Sequence, residues 1–191
     1  LQRIKQEIAM PPSAEEAAQA LREIANIKAR AAGFQDYRAE SDQLLLWGVA
    51  HVIGFMLSGL FPALILLIWI VVVPVSMGAG MLLARRAGAE IPGIGWRYLI
   101  LIGAIFVFTI LIHIVMWPLA PEQGAMVAPL FVSALYVMRG VQLRPRYLFI
   151  GCWLVMLLML GFLFFKPVFW WWMAVVYGGS FIAFGCWLRR L

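Results

Sequence analysis

Charge is the scarcest commodity in this chain. Only 13% of its 191 residues are Asp, Glu, Lys or Arg, while 64% are hydrophobic and the mean hydropathy is +0.93. A water-soluble domain carries about a quarter charged residues, so a single soluble globule is excluded. Cysteine is nearly absent: Cys152 and Cys186 both sit in apolar runs, far from any metal-ligand spacing, and each is expected to be a small buried hydrophobe. No P-loop, HExxH or GxSxG pattern occurs, which removes the usual motifs for nucleotide, zinc-protease and serine-hydrolase chemistry.

The acids that exist are unevenly placed. Residues 1–43 hold six bases (Arg3, Lys5, Arg22, Lys28, Arg30, Arg38) and seven acids (Glu7, Glu15, Glu16, Glu23, Asp36, Glu40, Asp42). The rest of the chain holds nine bases but only Glu90 and Glu122 as acids. The net charge of +6 and pI of about 9.8 therefore come from short connections and the C-terminal tail. That is a pattern of membrane topology, and nucleic acid is not expected as a partner.

What the chain has in abundance is apolar length. Residues 44–84 contain no charge. As one helix they would be about twice as long as the hydrocarbon core is thick, so Ser58-Gly59-Leu60-Phe61-Pro62 must turn them into a hairpin. The expected fold is an all-α membrane protein, a bundle of six transmembrane helices over about 44–60, 62–84, 97–117, 124–138, 147–165 and 168–188. Span four is the shortest and carries Pro129. Ala120-Pro121-Glu122-Gln123-Gly124 reads as the turn before it, and Arg139 to Arg146 as a basic loop after it. With the N-terminus inside, every basic residue except Lys166 falls on the cytoplasmic side or at its boundary. Omitting span four would put Arg189 and Arg190 outside. Both termini are thus expected in the cytoplasm. Trp47, Trp96, Tyr98, Tyr147 and Trp187 would form an inner aromatic belt, and Trp117 with Trp170-Trp171-Trp172 an outer one.

The polar segment 1–43 has no apolar stretch ahead of a small-residue cleavage site and is expected to be a cytoplasmic segment rather than a secretory signal. Ser13-Ala14-Glu15-Glu16 has the form of a capping box, and a helix over about 13–32 should end at Gly33. It is amphipathic. Ala14, Ala17, Ala18, Leu21, Ile24, Ala25 and Ala32 share one side, interrupted by Lys28. That side is mostly alanine and the helix is nearly neutral, which suits packing on another helix better than lying on a bilayer. The other helix could be a second copy, a partner, or the preceding segment with Leu1, Ile4 and Ile8. A solvated helix packed on its own loops is the plainer alternative.

The spans offer little chemistry. No Asp, Glu, Lys or Arg is expected inside a span core, which argues against a proton relay, an ion path or acid–base hydrolysis within the bilayer. His51 and His113 are the candidate cofactor ligands, since two histidines on different spans could hold haem. His51 lies roughly 15 Å below the outer end of span one, and His113 roughly 6 Å below that of span three. That mismatch favours two neutral histidines, each hydrogen-bonded to a neighbouring span, so no cofactor and no metal are expected.

Small residues recur instead at helical spacing. Ala50, Gly54 and Ser58 do so in span one, Ser76, Gly80 and Ala84 in span two, and Ala174 with Gly178 and Gly179 with Ala183 in span six. Such faces let helices approach closely. The expected interaction residues are accordingly Ala17, Leu21, Ile24, Gly54, Ser58, Gly80, Gly178 and Gly179. The layout resembles bacterial inner-membrane proteins that place a short cytoplasmic helix before a six-span bundle, a likeness of architecture that carries no motif. The expected function is non-enzymatic: an accessory, scaffold or regulatory subunit, or a homo-oligomer, with the lipid bilayer and either another membrane protein or further copies as partners. The alternative is a carrier or pore for an apolar or weakly polar solute, with Pro74, Gly78, Gly80 and Pro129 interrupting helices near a site. Spans one to three and four to six show no repeat that would favour it. A redox or lipid-modifying enzyme is a third possibility.

Overall fold

The computed structural model describes residues 14–33, 37–87, 94–142 and 145–190. The chain divides into two units, one on each side of the step from Asp36 to Tyr37. The first contributes one helix, α1, Ala14–Gly33. Glu15 and Glu16 lie in its first turn, where carboxylates oppose the helix dipole favourably. Ser13 and its capping box, Leu1, Ile4 and Ile8 lie outside the described residues.

The second unit is almost entirely helical, and six of its helices are long and apolar enough to cross a membrane. They are α2 (Tyr37–Leu60), α3 (Ile65–Ala87), α4 (Ile94–Val115), α5 (Pro121–Gln142), α6 (Pro145–Phe164), and a final span, α7, running from Phe169–Trp172 through a π-helical stretch, Met173–Gly178, into Gly179–Arg189. Proline marks the starts: Pro121 and Pro145 open α5 and α6, and Pro62 and Pro167 sit in single 3-10 turns ahead of α3 and α7. A first-turn proline gives up an N–H that would have no partner there. Arginines close several helices, with Arg85 and Arg86 on α3, Arg139 on α5 and Arg189 on α7.

Span four differs from its sequence reading. Residues 121–124 are the first turn of α5 rather than a connection, and the expected basic loop is mostly helix, because α5 continues to Gln142 and α6 resumes at Pro145. Pro129 lies inside α5 without ending it. Proline removes one rung of the helical ladder. Its own carbonyl is met by the Ser133 hydroxyl at 2.8 Å and the Tyr177 hydroxyl at 3.3 Å.

The core gathers on α2, α5, α6 and α7. Along α2 six of the eight buried residues, Ser41, Leu44, Gly48, His51, Phe55 and Ser58, alternate spacings of three and four, the pattern of a knobs-into-holes seam; Ala50 and Gly54 are buried beside them. The seam meets Ala174, Gly178, Phe181 and Gly185 of α7. A Cβ on Gly48 would stand 2.7 Å from Ile182 Cγ1, and one on Gly178 2.9 Å from Val52 Cγ2. Glycine is required at both because the two backbones approach so closely. The α5–α6 hairpin is built in the same way: Gly140 lies against the Leu148 backbone, and a Cβ on Gly151 would be 2.6 Å from Val137 N. Helices α3 and α4 are peripheral. In α3 only Ser76 and Gly80 are buried, and the membrane window of α4 contains no buried residue.

Candidate functional site

The polar side chains of the bundle converge where α2 begins and α7 ends. Within two turns, α2 carries Glu40, Ser41, Gln43 and Trp47, and each reaches a different neighbour. Ser41 Oγ donates to the Gly185 carbonyl of α7 at 2.8 Å. Gln43 Nε2 donates to the Gly80 carbonyl of α3 at 2.8 Å. Trp47 Nε1 donates to the Tyr98 hydroxyl of α4 at 3.1 Å. Glu40 accepts from the Tyr136 hydroxyl at 2.7 Å and from the Arg139 guanidinium at 2.8 Å, both on α5. Arg139 in turn lies over the ring of Tyr147 on α6, 5.0 Å from its centroid. The first span is therefore tied by polar contacts to α3, α4, α5 and α7, and through Arg139 to α6.

Between membrane spans such ties make up a larger share of what holds the helices together than they do in water. Lipid tails are as apolar as leucine, so helices in a bilayer gain little from hydrophobic burial and depend on close packing and interhelical hydrogen bonds. A carboxylate and a guanidinium at a span end are tolerable when each satisfies the other. Both oxygens of Glu40 are engaged, one by a phenol and one by a cation, which suits the group to holding helices rather than moving protons.

Sequence reasoning missed this cluster. It assigned Glu40 to the cytoplasmic segment and Arg139 to a loop, whereas both lie inside helices. The available signal was Tyr136-x-x-Arg139, which places both side chains on one helix face. The close approaches at Gly48, Gly140, Gly151 and Gly185 were missed too, because an isolated glycine gives no four-residue pair.

The flagged small residues have distinct surroundings. Gly80 sits under the Tyr98 hydroxyl and beside Gln43 Oε1, with no room for a methyl group. Gly54 faces the Trp69 indole, 2.8 Å from where a Cβ would stand. Ser58 donates to the Gly54 carbonyl within its own helix at 2.8 Å. Gly178 packs into α2, whereas beside Gly179 the space is open. In α1, Ala17 is half-buried, and Leu21 and Ile24 are 66% and 48% exposed.

The two histidines occupy separate settings. His51 is enclosed by Trp47, Phe55, Trp69, Tyr177 and Phe181, its ring stacked on Phe181 at 5.3 Å. Its Nδ1 is 2.6 Å from the Trp47 carbonyl. A carbonyl only accepts, so that nitrogen carries a hydrogen. His113 bonds in the same way to the Thr109 carbonyl at 2.7 Å, and its Nε2 faces Gly124 at the start of α5. Both carbonyls lie four residues back on the histidine's own helix, not on a neighbouring span as expected, and the two rings share none of these neighbours. Among the described residues no three His, Cys, Asp or Glu side chains are grouped as metal ligands would be.

Two further expectations are corrected. Cys152 and Cys186 lie on the outside of the bundle rather than in its core; the buried face of α6 is taken by Ile150, Gly151, Leu154 and Leu158. The tryptophan triplet does not act as one belt. Trp171 is exposed, but Trp172 turns inward, donating to the Leu157 carbonyl at 3.0 Å and stacking on Phe165 at 4.2 Å.

Compared with known proteins, the chain matches no family model, no curated protein and no solved structure.

Proposed function

We propose that this chain is a non-enzymatic integral membrane protein that works by association, as an accessory, scaffold or regulatory subunit of a membrane assembly or as a homo-oligomer. It would reside in the bacterial inner membrane with both termini cytoplasmic. The observation that carries the reading is a contrast between the two units. Inside the bundle the polar groups of α2 are spent on neighbouring helices, and α5 and α7 fill the interior with Met126, Tyr177 and Phe181. On α1, by contrast, Leu21 and Ile24 stand exposed on the alanine-rich side.

A carrier would need its helix interruptions to line a site. Pro129 is instead buried in the core, its carbonyl accepting from the Ser133 and Tyr177 hydroxyls, which favours a closed structural core. The orientation rests on Arg85, Arg86, Arg139 and Arg189 closing helices at one end of the bundle, opposite Lys166. Reporter fusions at the two termini should both score as cytoplasmic. Opposite scores, or two external ones, would refute the orientation.

Association is tested by extracting the tagged full chain from its own membrane in mild detergent. The wild type should return with a partner or with further copies. Leu21→Glu with Ile24→Glu should return alone, with the thermal midpoint of the bundle unchanged. A wild type that emerges only as a bare monomer contradicts the reading.

A further inference from the structure

A shallow groove of about 510 Å³ opens on the outside of the bundle, lined by Asp42, Leu45, Leu46, Val49, Leu83 and Arg189. Four of these lie on one face of α2, at spacings of three, one and three; Leu83 comes from α3 and Arg189 from the end of α7. Its floor is aliphatic and open to the outside of the bundle, with Val49 48% exposed. Its rim carries one carboxylate and one guanidinium at the level of the polar ties described above. Among the described residues, Glu40 and Arg139 form an ion pair, but Asp42 and Arg189 pair neither with each other nor with another charged group.

We infer that this groove binds a zwitterionic aminophospholipid, with its primary ammonium on Asp42, its phosphate on Arg189 and an acyl chain along Leu45, Leu46, Val49 and Leu83. The charge arrangement selects the headgroup. An anionic lipid would satisfy Arg189 but meet the Asp42 carboxylate as a like charge. A quaternary choline head would bring a positive charge with no N–H to donate, so it could not form the charge-assisted hydrogen bonds that a primary ammonium makes to a carboxylate. The groove is open along its length, so a chain lying on the aliphatic floor would remain continuous with the surrounding lipid. This inference goes beyond the association reading and does not depend on it.

The test uses the full chain, stripped of lipid in detergent. It is then offered phosphatidylethanolamine, phosphatidylcholine and phosphatidylglycerol of identical acyl chains at equal concentration, and retained lipid is counted by native mass spectrometry. The wild type should retain the ethanolamine lipid about tenfold over each of the others, as expected for one charge-assisted hydrogen-bonded contact. Asp42→Asn should bring the ethanolamine and choline lipids to equal retention, and Arg189→Gln should lower all three. The wild-type competition needs no variant, so misfolding cannot obscure it. Equal retention of the three classes by the wild type, or an unchanged preference in Asp42→Asn, overturns the inference. So does a groove that keeps no lipid because a second copy of the chain covers it.

Discussion

At the scale of single residues, the stabilising chemistry of this protein is concentrated in a few polar side chains. Glu40 and Arg139 form an ion pair, and Tyr136 and Tyr147 complete their surroundings. Interhelical hydrogen bonds in membranes average well under 1 kcal/mol, and bonds to charged groups are stronger. A double-mutant cycle between Glu40→Gln and Arg139→Gln, read by thermal unfolding in detergent, should therefore give a coupling of about 1–2 kcal/mol. Additive effects would mean that the pair is a surface contact without structural weight.

The sequence made the scarcity of such groups plain but not their pairing. Glu40 lies close to the acids of segment 1–43, and Arg139 precedes two further arginines, so in one dimension both look like solvated charge. Only the length of α5, reaching Gln142, brings Arg139 back alongside α2. His51 was legible as a hydrogen-bonded span histidine, but its bond runs back along its own helix and not to a neighbouring span; its five aromatic neighbours come from α2, α3 and α7 and have no common sequence pattern.

At the scale of helices, glycine sets how closely the spans approach, and its neighbours decide its importance. Gly78 and Gly80 are both in α3, yet only Gly80 is covered, by Tyr98 and Gln43. Gly80→Ala should displace Tyr98 from Trp47 and cost about 1–3 kcal/mol through overpacking. Gly78→Ala should be neutral or slightly stabilising, because alanine is the better helix former. Thermal midpoints of the two variants test this. Equal effects would show that the Tyr98 contact does not hold α4 to the bundle. Helix existence was readable from apolar length, and span four from the arginine balance. The ends of α5 were not: Pro121 reads equally well as a turn or as a first helical residue, and the choice depends on the chain that follows. The inward turn of Trp172 depends on the Leu157 carbonyl of the preceding helix, a tertiary partner that composition cannot reveal.

At the scale of the whole molecule, the protein combines a bundle whose polar groups are largely turned toward one another with a separate helix whose leucine and isoleucine are exposed. Six spans also place the start of α2 and the end of α7 at the same end, where Ser41 bonds to Gly185. The polar ties, the arginine-closed helix ends and the groove all lie there. On the proposed association reading, the contact role belongs to that side of the membrane. Native mass spectrometry of the full chain released directly from its own membrane tests this most directly. The account predicts a complex containing further copies or a second protein, which falls to single chains when Leu21→Glu and Ile24→Glu are introduced together. A wild-type spectrum of single chains alone, or a complex unaffected by both substitutions, would contradict it.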